Sequence, residues 1–227
     1  MIKAVILGAM VAMGGAGSAS AEGHEGFVNL ADYIPGIVVE TRYAGHKNFM
    51  GRPIAGYLAA KSLMSQEGAD ALTAVQKDLQ PMGYTLMVFD SYRPQRAVDD
   101  FMAWVKDSAD TKNKASYYPN ISKDQLVPQG YIAEKSGHTR GSTIDLTIAK
   151  VGENGKVVEL DMGSPWDFFG PISHALNTDI PEDAQKNRAL LRGLMLKHGF
   201  KPYEAEWWHF SLADEPYPDT YFDFVVE

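Results

Sequence analysis

Residues 143–148, Thr-Ile-Asp-Leu-Thr-Ile, alternate so strictly between polar and apolar that a β-strand is the one regular structure they suit. Ile144, Leu146 and Ile148 turn into a core, while Asp145 projects from the other face with Thr143 and Thr147. A carboxylate among apolar strand residues is costly unless a cation neutralises it, and a metal ion does that well. His138 stands seven residues earlier, ahead of Gly141, where the chain can turn and bring the imidazole to the carboxylate. Taken alone, this pair reads more simply as a surface Asp beside a loop His, because spacing by itself says little.

Glu206-Trp-Trp-His209 shifts that reading. Two indoles flanking a Glu and a His describe a partly dry pocket, where a carboxylate gains basicity and a metal's water is shielded. Standing by itself the segment reads equally well as aromatic core with a satisfied His. Residues three apart on a regular strand face opposite ways, so Glu206 and His209 share a site only across a bulge or at a strand entry. Combined, His138, Asp145 and His209 form a three-ligand set that leaves one position of a tetrahedral zinc open, as in catalytic sites. With Glu206 as a further carboxylate, a hydrolytic metalloenzyme is expected. The chain has no cysteine, so such a site has to be built from His, Asp and Glu.

Other candidates are weaker. His24 and His46 fall in loops, His174 follows Pro171 in a turn, and His198 ends a helix, where the dipole favours a cation. Asp90-Ser-Tyr-Arg-Pro94 follows an apolar strand at 84–89. Arg93, fixed by Pro94, can be aimed into a cleft to meet the negative charge of a tetrahedral intermediate. An ion pair of Asp90 with Arg93 or Arg96 at a helix start explains the same residues and is slightly favoured locally.

Helical periodicity is read over 66–80, 95–107 and 182–198. Strands are read at 84–89, 143–148 and 207–212, with Asn154-Gly155 as a hairpin turn leading into 157–160. These elements predict an α+β domain over 22–227, a mostly antiparallel sheet packed with helices. The connection 108–134 carries Tyr117, Tyr118 and Tyr131, which either help wall off a small pocket or belong to a plain surface excursion.

Residues 1–21 read as a signal peptide, with Lys3, a short apolar run and Ala19-Ser20-Ala21 ahead of cleavage before Glu22. The apolar run is too short for a stable membrane anchor. Without it the chain has 20 basic and 29 acidic residues, a net charge of −9. That surface repels nucleic acid and anionic lipid. An exported chain without cysteine is held by its core, with a metal as the one additional staple.

These residues resemble the VanX-type D-alanyl-D-alanine dipeptidases, zinc enzymes of the hedgehog/DD-peptidase fold. Arg42-Tyr-Ala, Gly51-Arg-Pro, Asp90-Ser-Tyr-Arg-Pro, Ser116-Tyr-Tyr-Pro-Asn-Ile121, Ser136-Gly-His-Thr-Arg-Gly-Ser-Thr-Ile-Asp145, Trp166-Asp-Phe, Glu206-Trp-Trp-His and Asp214-Glu-Pro-Tyr-Pro218 carry the likeness, in the same order. The resemblance implies one zinc per chain on His138, Asp145 and His209, with Glu206 as general base and Arg93 stabilising the transition state. It implies that Asp167 and Tyr43 hold the substrate ammonium and that Ser136 meets the substrate's other end. Gly137 departs from the family, where a serine or larger residue is common; the change is expected to alter substrate grip and leave the metal alone. A signal peptide is a second departure. Exported to the periplasm, the enzyme cannot drain a cytoplasmic D-Ala-D-Ala pool, so recovery of D-alanine from wall peptides is expected rather than glycopeptide resistance. Two further readings compete: a zinc D,D-carboxypeptidase or endopeptidase acting on peptidoglycan stems, and a non-catalytic metal-stabilised binding protein of hedgehog type. Asp167 counts against the first, because a long stem offers no free amine there; Glu206 and Arg93 count against the second. Homo-oligomerisation is left open.

Overall fold

Two neighbouring strands, over 84–90 and 143–151, are buried along most of their length, and the rest of the chain packs around them. A computed structural model describes residues 24–227; the expected signal peptide, 1–21, lies outside the described residues. Along them run β1 (Phe27–Asn29), β2 (Val38–Val39), β3 (Leu63–Ser65), β4 (Tyr84–Asp90), β5 (Thr143–Val151), β6 (Val157–Glu159), β7 (Phe200–Tyr203) and β8 (Glu206–Leu212). The helices are α1 (Leu30–Tyr33), α2 (Gln66–Leu79), α3 (Gln95–Lys106), α4 (Lys114–Tyr117), α5 (Lys123–Leu126) and α6 (Glu182–Lys197).

The main sheet runs β2-β4-β5-β8-β7, with β6 paired to the far end of β5; β1 and β3 form a separate ribbon. Every pairing is antiparallel except β2 on β4. The architecture is therefore the expected α+β, mostly antiparallel sheet with helices. The three long helices and the 154–155 hairpin lie where the sequence places them. Ser65 caps α2 by accepting the Gly68 N–H at 3.3 Å. After α2, Gly83 at φ +76° turns the chain into β4, and Gly199 at φ +86° turns α6 into β7.

The alternation of β5 holds, but Thr143, Asp145 and Thr147 are as buried as Ile144, Leu146 and Ile148. Helices α2 and α6 pack against β4 and β5. Trp166 and Tyr43 close over the face from which Asp145 projects, the Trp166 indole N–H reaching its carboxylate at 3.4 Å.

Short β3 does more for the site than its length suggests. Leu63 accepts the Tyr92 N–H and Ser65 donates to the Gly141 carbonyl, both at 2.8 Å. Hydroxyl pairs Ser62–Ser91 and Ser65–Ser142, each at 2.7 Å, run alongside. One strand thereby fixes the segment bearing Arg93 relative to the segment bearing His138.

Candidate metal centre and substrate cavity

Three adjacent strands, β4, β5 and β8, bring Asp90, Asp145 and His209 into one row. A register shift between Val88 and Asp90 sets Asp90 opposite Asp145, and Asp145 is the direct cross-strand partner of His209. His138 enters on a 3-10 turn, Gly137–Arg140, that ends at Gly141 with φ +86°. Its Nδ1 donates to the Ser91 carbonyl at 2.7 Å, which leaves Nε2 as a bare lone pair. Nε2 lies 3.2 Å from Asp145 Oδ1 and 3.3 Å from His209 Nδ1; His209 Nδ1 lies 3.1 Å from the same Oδ1.

That oxygen is buried and has no hydrogen-bond partner. Ligand atoms at zinc distances in a tetrahedron stand about 3.3 Å apart, so these three atoms form one face of such a polyhedron. A lone pair, a carboxylate oxygen and a second imidazole nitrogen facing one point suit a cation, and the residues present fit a divalent metal. Burial works to raise the Asp145 carboxyl, but the His138 and His209 imidazoles outweigh it and hold the group far below the usual range.

Glu206 Oε2 approaches His209 Nδ1 at 3.5 Å. The distortion that this pairing demands is present: between the pairs Pro202–Phe210 and Tyr203–Glu206, β8 advances four residues while β7 advances one. Burial, then the negative charges of Asp145 and Asp167, lift the Glu206 carboxyl well above its ordinary value, with Arg93 opposing. Trp207 and Trp208 support this bulge from behind, and neither lines the cavity.

The same cavity, about 270 Å³, is lined by Tyr43, Arg93, Ser136, Asp145, Asp167, Glu206 and His209. His138 sits behind its wall, fully buried. Arg93 makes the ion pair with Asp90, Nε and Nη2 each reaching Oδ2 at 2.9 Å, and also lines the cavity, 3.7 Å from Asp145. Asp167, 4% exposed, accepts the Tyr43 hydroxyl at 2.8 Å. Burial first, then Asp145, raise its carboxyl well above the ordinary range. It is also the one non-glycine among the described residues with positive φ, +60°. Ser136 also lines the cavity and accepts the His138 backbone N–H at 3.3 Å.

Of the three tyrosines in 108–134, only Tyr131 reaches the cavity; Tyr118 packs edge-on against Trp104 instead. Phe49, Phe101, Ile132, Phe169 and Tyr203 add apolar and aromatic wall without any sequence signal beyond that character, and Lys135 adds a cation. Asp90 and Ser91, which hold Arg93 and His138, are the supporting residues that motif reading left without a role at the metal. The other histidines stay apart: His24 stacks on Phe224, His46 meets Gly51, His174 meets Tyr131 and His198 pairs with Asp78. At Gly137 a Cβ would lie 2.6 Å from Thr143 Oγ1, which is engaged with Ser211. A larger side chain there requires this hydroxyl pair to move.

Comparison with known proteins places the site in context. The M15 peptidase family, described as D-ala-D-ala dipeptidase, matches residues 23–227. A D-alanyl-D-alanine dipeptidase of Streptomyces coelicolor is 40% identical over 200 residues, 88% of this chain and 98% of that one. One from Enterococcus faecalis is 41% identical over 201 residues, again 88% and 98%. One from Escherichia coli is 36% identical over 188 residues, 82% and 83%. A solved LD-carboxypeptidase covers 85% of this chain and 70% of its own at 16% identity and a TM-score of 0.41, too distant to bear on function.

Proposed function

Because the chain belongs to the M15 peptidases of the D-Ala-D-Ala dipeptidase family, we propose that it hydrolyses D-alanyl-D-alanine to two molecules of D-alanine, using zinc. The observation that carries this reading is a buried acid in the cavity wall. Asp167 and Tyr43 present a buried, hydrogen-bonded carboxylate in the same space as Glu206 and His209. Burial and Asp145 make this acid hold its proton more tightly than usual, with the Tyr43 hydroxyl and Arg93 only partly opposing. A further cation, such as the free ammonium of a dipeptide, favours its ionised form. An acylated stem peptide would bring none.

His138 Nε2, Asp145 Oδ1 and His209 Nδ1 hold the metal in this reading. Bound there, zinc supplies a Lewis acid for the scissile carbonyl and lowers the pKa of water toward ~7. Glu206 takes a proton from the attacking water at its carboxylate oxygen and delivers it to the departing nitrogen as the C–N bond breaks. Arg93, held by Asp90, turns its N–H groups toward the negative charge that develops on the carbonyl oxygen. Asp167 and Tyr43 orient the ammonium, and Ser136 meets the substrate carboxylate.

The deciding experiment offers zinc-loaded protein D-Ala-D-Ala, its N-acetyl derivative and a stem pentapeptide, and measures released D-alanine. Turnover of the free dipeptide alone is expected; comparable release from the pentapeptide would overturn the dipeptidase reading. We further propose export to the periplasm, supported by the pattern of residues 1–21 and by a family match that begins at residue 23. Among the described residues no helix is long and apolar enough to cross a membrane. Cell fractionation that finds the protein at full length in the cytosol would overturn export.

A further inference from the structure

The loop between β6 and α6 carries Asp167, and a single side chain from α6 gathers that loop. Arg188 is buried, with 4% exposure. Its Nε donates to the Met162 carbonyl at 2.6 Å, Nη1 to His174 at 2.9 Å, and Nη2 to Ile172 at 2.9 Å and to Ser164 Oγ at 3.2 Å. All four acceptors are neutral and flank Asp167 on both sides in sequence. A buried guanidinium hydrogen-bonded only to neutral groups, with Asp161 as its one charged neighbour, is a costly way to fill space, since an apolar side chain of similar volume packs without desolvating a charge.

The network continues in one direction of donation. Ser164 Oγ accepts from Arg188 and from the Trp207 indole N–H at 3.0 Å, so its own hydrogen goes to Ser173 Oγ at 2.9 Å. Ser173 Oγ in turn donates to the Phe168 carbonyl at 2.6 Å. Arg188 therefore reaches the neighbour of Asp167 through Ser173 and the neighbour of Glu206 through Trp207. Positive φ at a non-glycine residue costs of order 1–3 kcal/mol and persists only where the surroundings over-determine it. The Arg188 network is one such constraint at Asp167, beside the Tyr43 hydroxyl on its carboxylate and the Phe169 N–H on the Tyr117 carbonyl at 2.7 Å.

We propose that Arg188 is a positioning residue for the substrate's amino terminus, holding the 162–174 loop so that Asp167 meets the ammonium. This inference rests on the reading of Asp167 as the ammonium's acceptor. The test uses full-length, zinc-loaded protein and compares Arg188→Lys, Ser164→Ala and Asp167→Asn for kcat, KM with D-Ala-D-Ala, zinc content and Tm. Arg188→Lys keeps the charge and loses the fork; KM is expected to rise about tenfold, with kcat changed no more than about threefold and zinc retained. Ser164→Ala is expected to raise KM in the same sense by less, and it carries the test should Arg188→Lys not fold. In the Arg188→Lys, Asp167→Asn double variant, KM is expected to match that of Asp167→Asn alone. If Asp167→Asn raises KM while the Arg188 and Ser164 variants leave it unchanged, or lower kcat and zinc content instead, the positioning role is overturned and the ammonium reading stands. An unchanged KM in Asp167→Asn overturns that reading itself.

Discussion

Asp167 and Glu206 are both buried acids with raised pKa, and the proposed reaction needs each as a carboxylate, for different work. Asp167 has to be ionised before a substrate ammonium is attracted to it. Its carboxyl is lifted by burial and by Asp145, with the Tyr43 hydroxyl and Arg93 working against them. The sign follows: as pH falls through that raised value the carboxylate is lost, and kcat/KM falls with it. Asp167→Asn is expected to raise KM and to leave only the acid limb that Glu206 sets; a profile unchanged in the variant would assign the whole limb to another group. Glu206 profits from the lift in a different way, because a carboxylate made more basic accepts a proton from water more readily. Glu206→Gln keeps the shape and removes the basicity. The expected result is a loss of 10²–10⁴ in kcat, on the order of a general base's contribution, with zinc content and Tm retained. Full turnover in that variant would remove Glu206 from the chemistry.

The elements show where sequence was informative and where it was silent. β5 and α3 were legible because each has a strong period, and the helix stops at Gly83 and Gly199 because positive φ selects glycine. The pairing of Glu206 with His209 was legible only as a requirement for a bulge; its place could not be read, since it depends on which β7 residues β8 meets. β1, β2, β3 and β7 are too short to show a period at all. The role of β3 at the site lies in backbone and hydroxyl contacts to partners far along the chain, which leave no local pattern. Asp167 was identified only through family likeness, since its φ of +60° and its burial are tertiary facts. Gly141 illustrates the legible kind. It ends the turn bearing His138 at φ +86°, and a Cβ there would lie 2.4 Å from the Phe27 ring. Gly141→Ala is expected to lose about 1–3 kcal/mol of stability from strain and overlap and to weaken zinc binding by displacing His138. Denaturant unfolding and a zinc titration check both parts, and a variant as stable as the parent would refute the first.

Across the whole molecule, the metal centre links folding to ionisation. Burial raises the carboxyls of Asp90, Asp167 and Glu206 in the metal-free fold, with Asp145's charge adding to each. A raised carboxyl pKa means that the folded state binds its proton more tightly than the unfolded chain does. These groups therefore take stability away as pH rises from the ordinary carboxylate range toward their folded values. Asp145, held low by two imidazoles, works the other way and loses its contribution only in strong acid. A divalent ion on His138, Asp145 and His209 offsets the accumulated negative charge and competes with protons, so its stabilising effect grows with pH. At free zinc about a thousandfold over Kd, linkage gives about 4 kcal/mol, which for a chain of this size is a rise in Tm of about 8–16 °C. Thermal melts with and without chelator, at pH 6 and pH 8, are expected to show the larger gap at pH 8 and none in His138→Ala. A gap that persists undiminished in His138→Ala would mean that the ion stabilising the fold is held somewhere else.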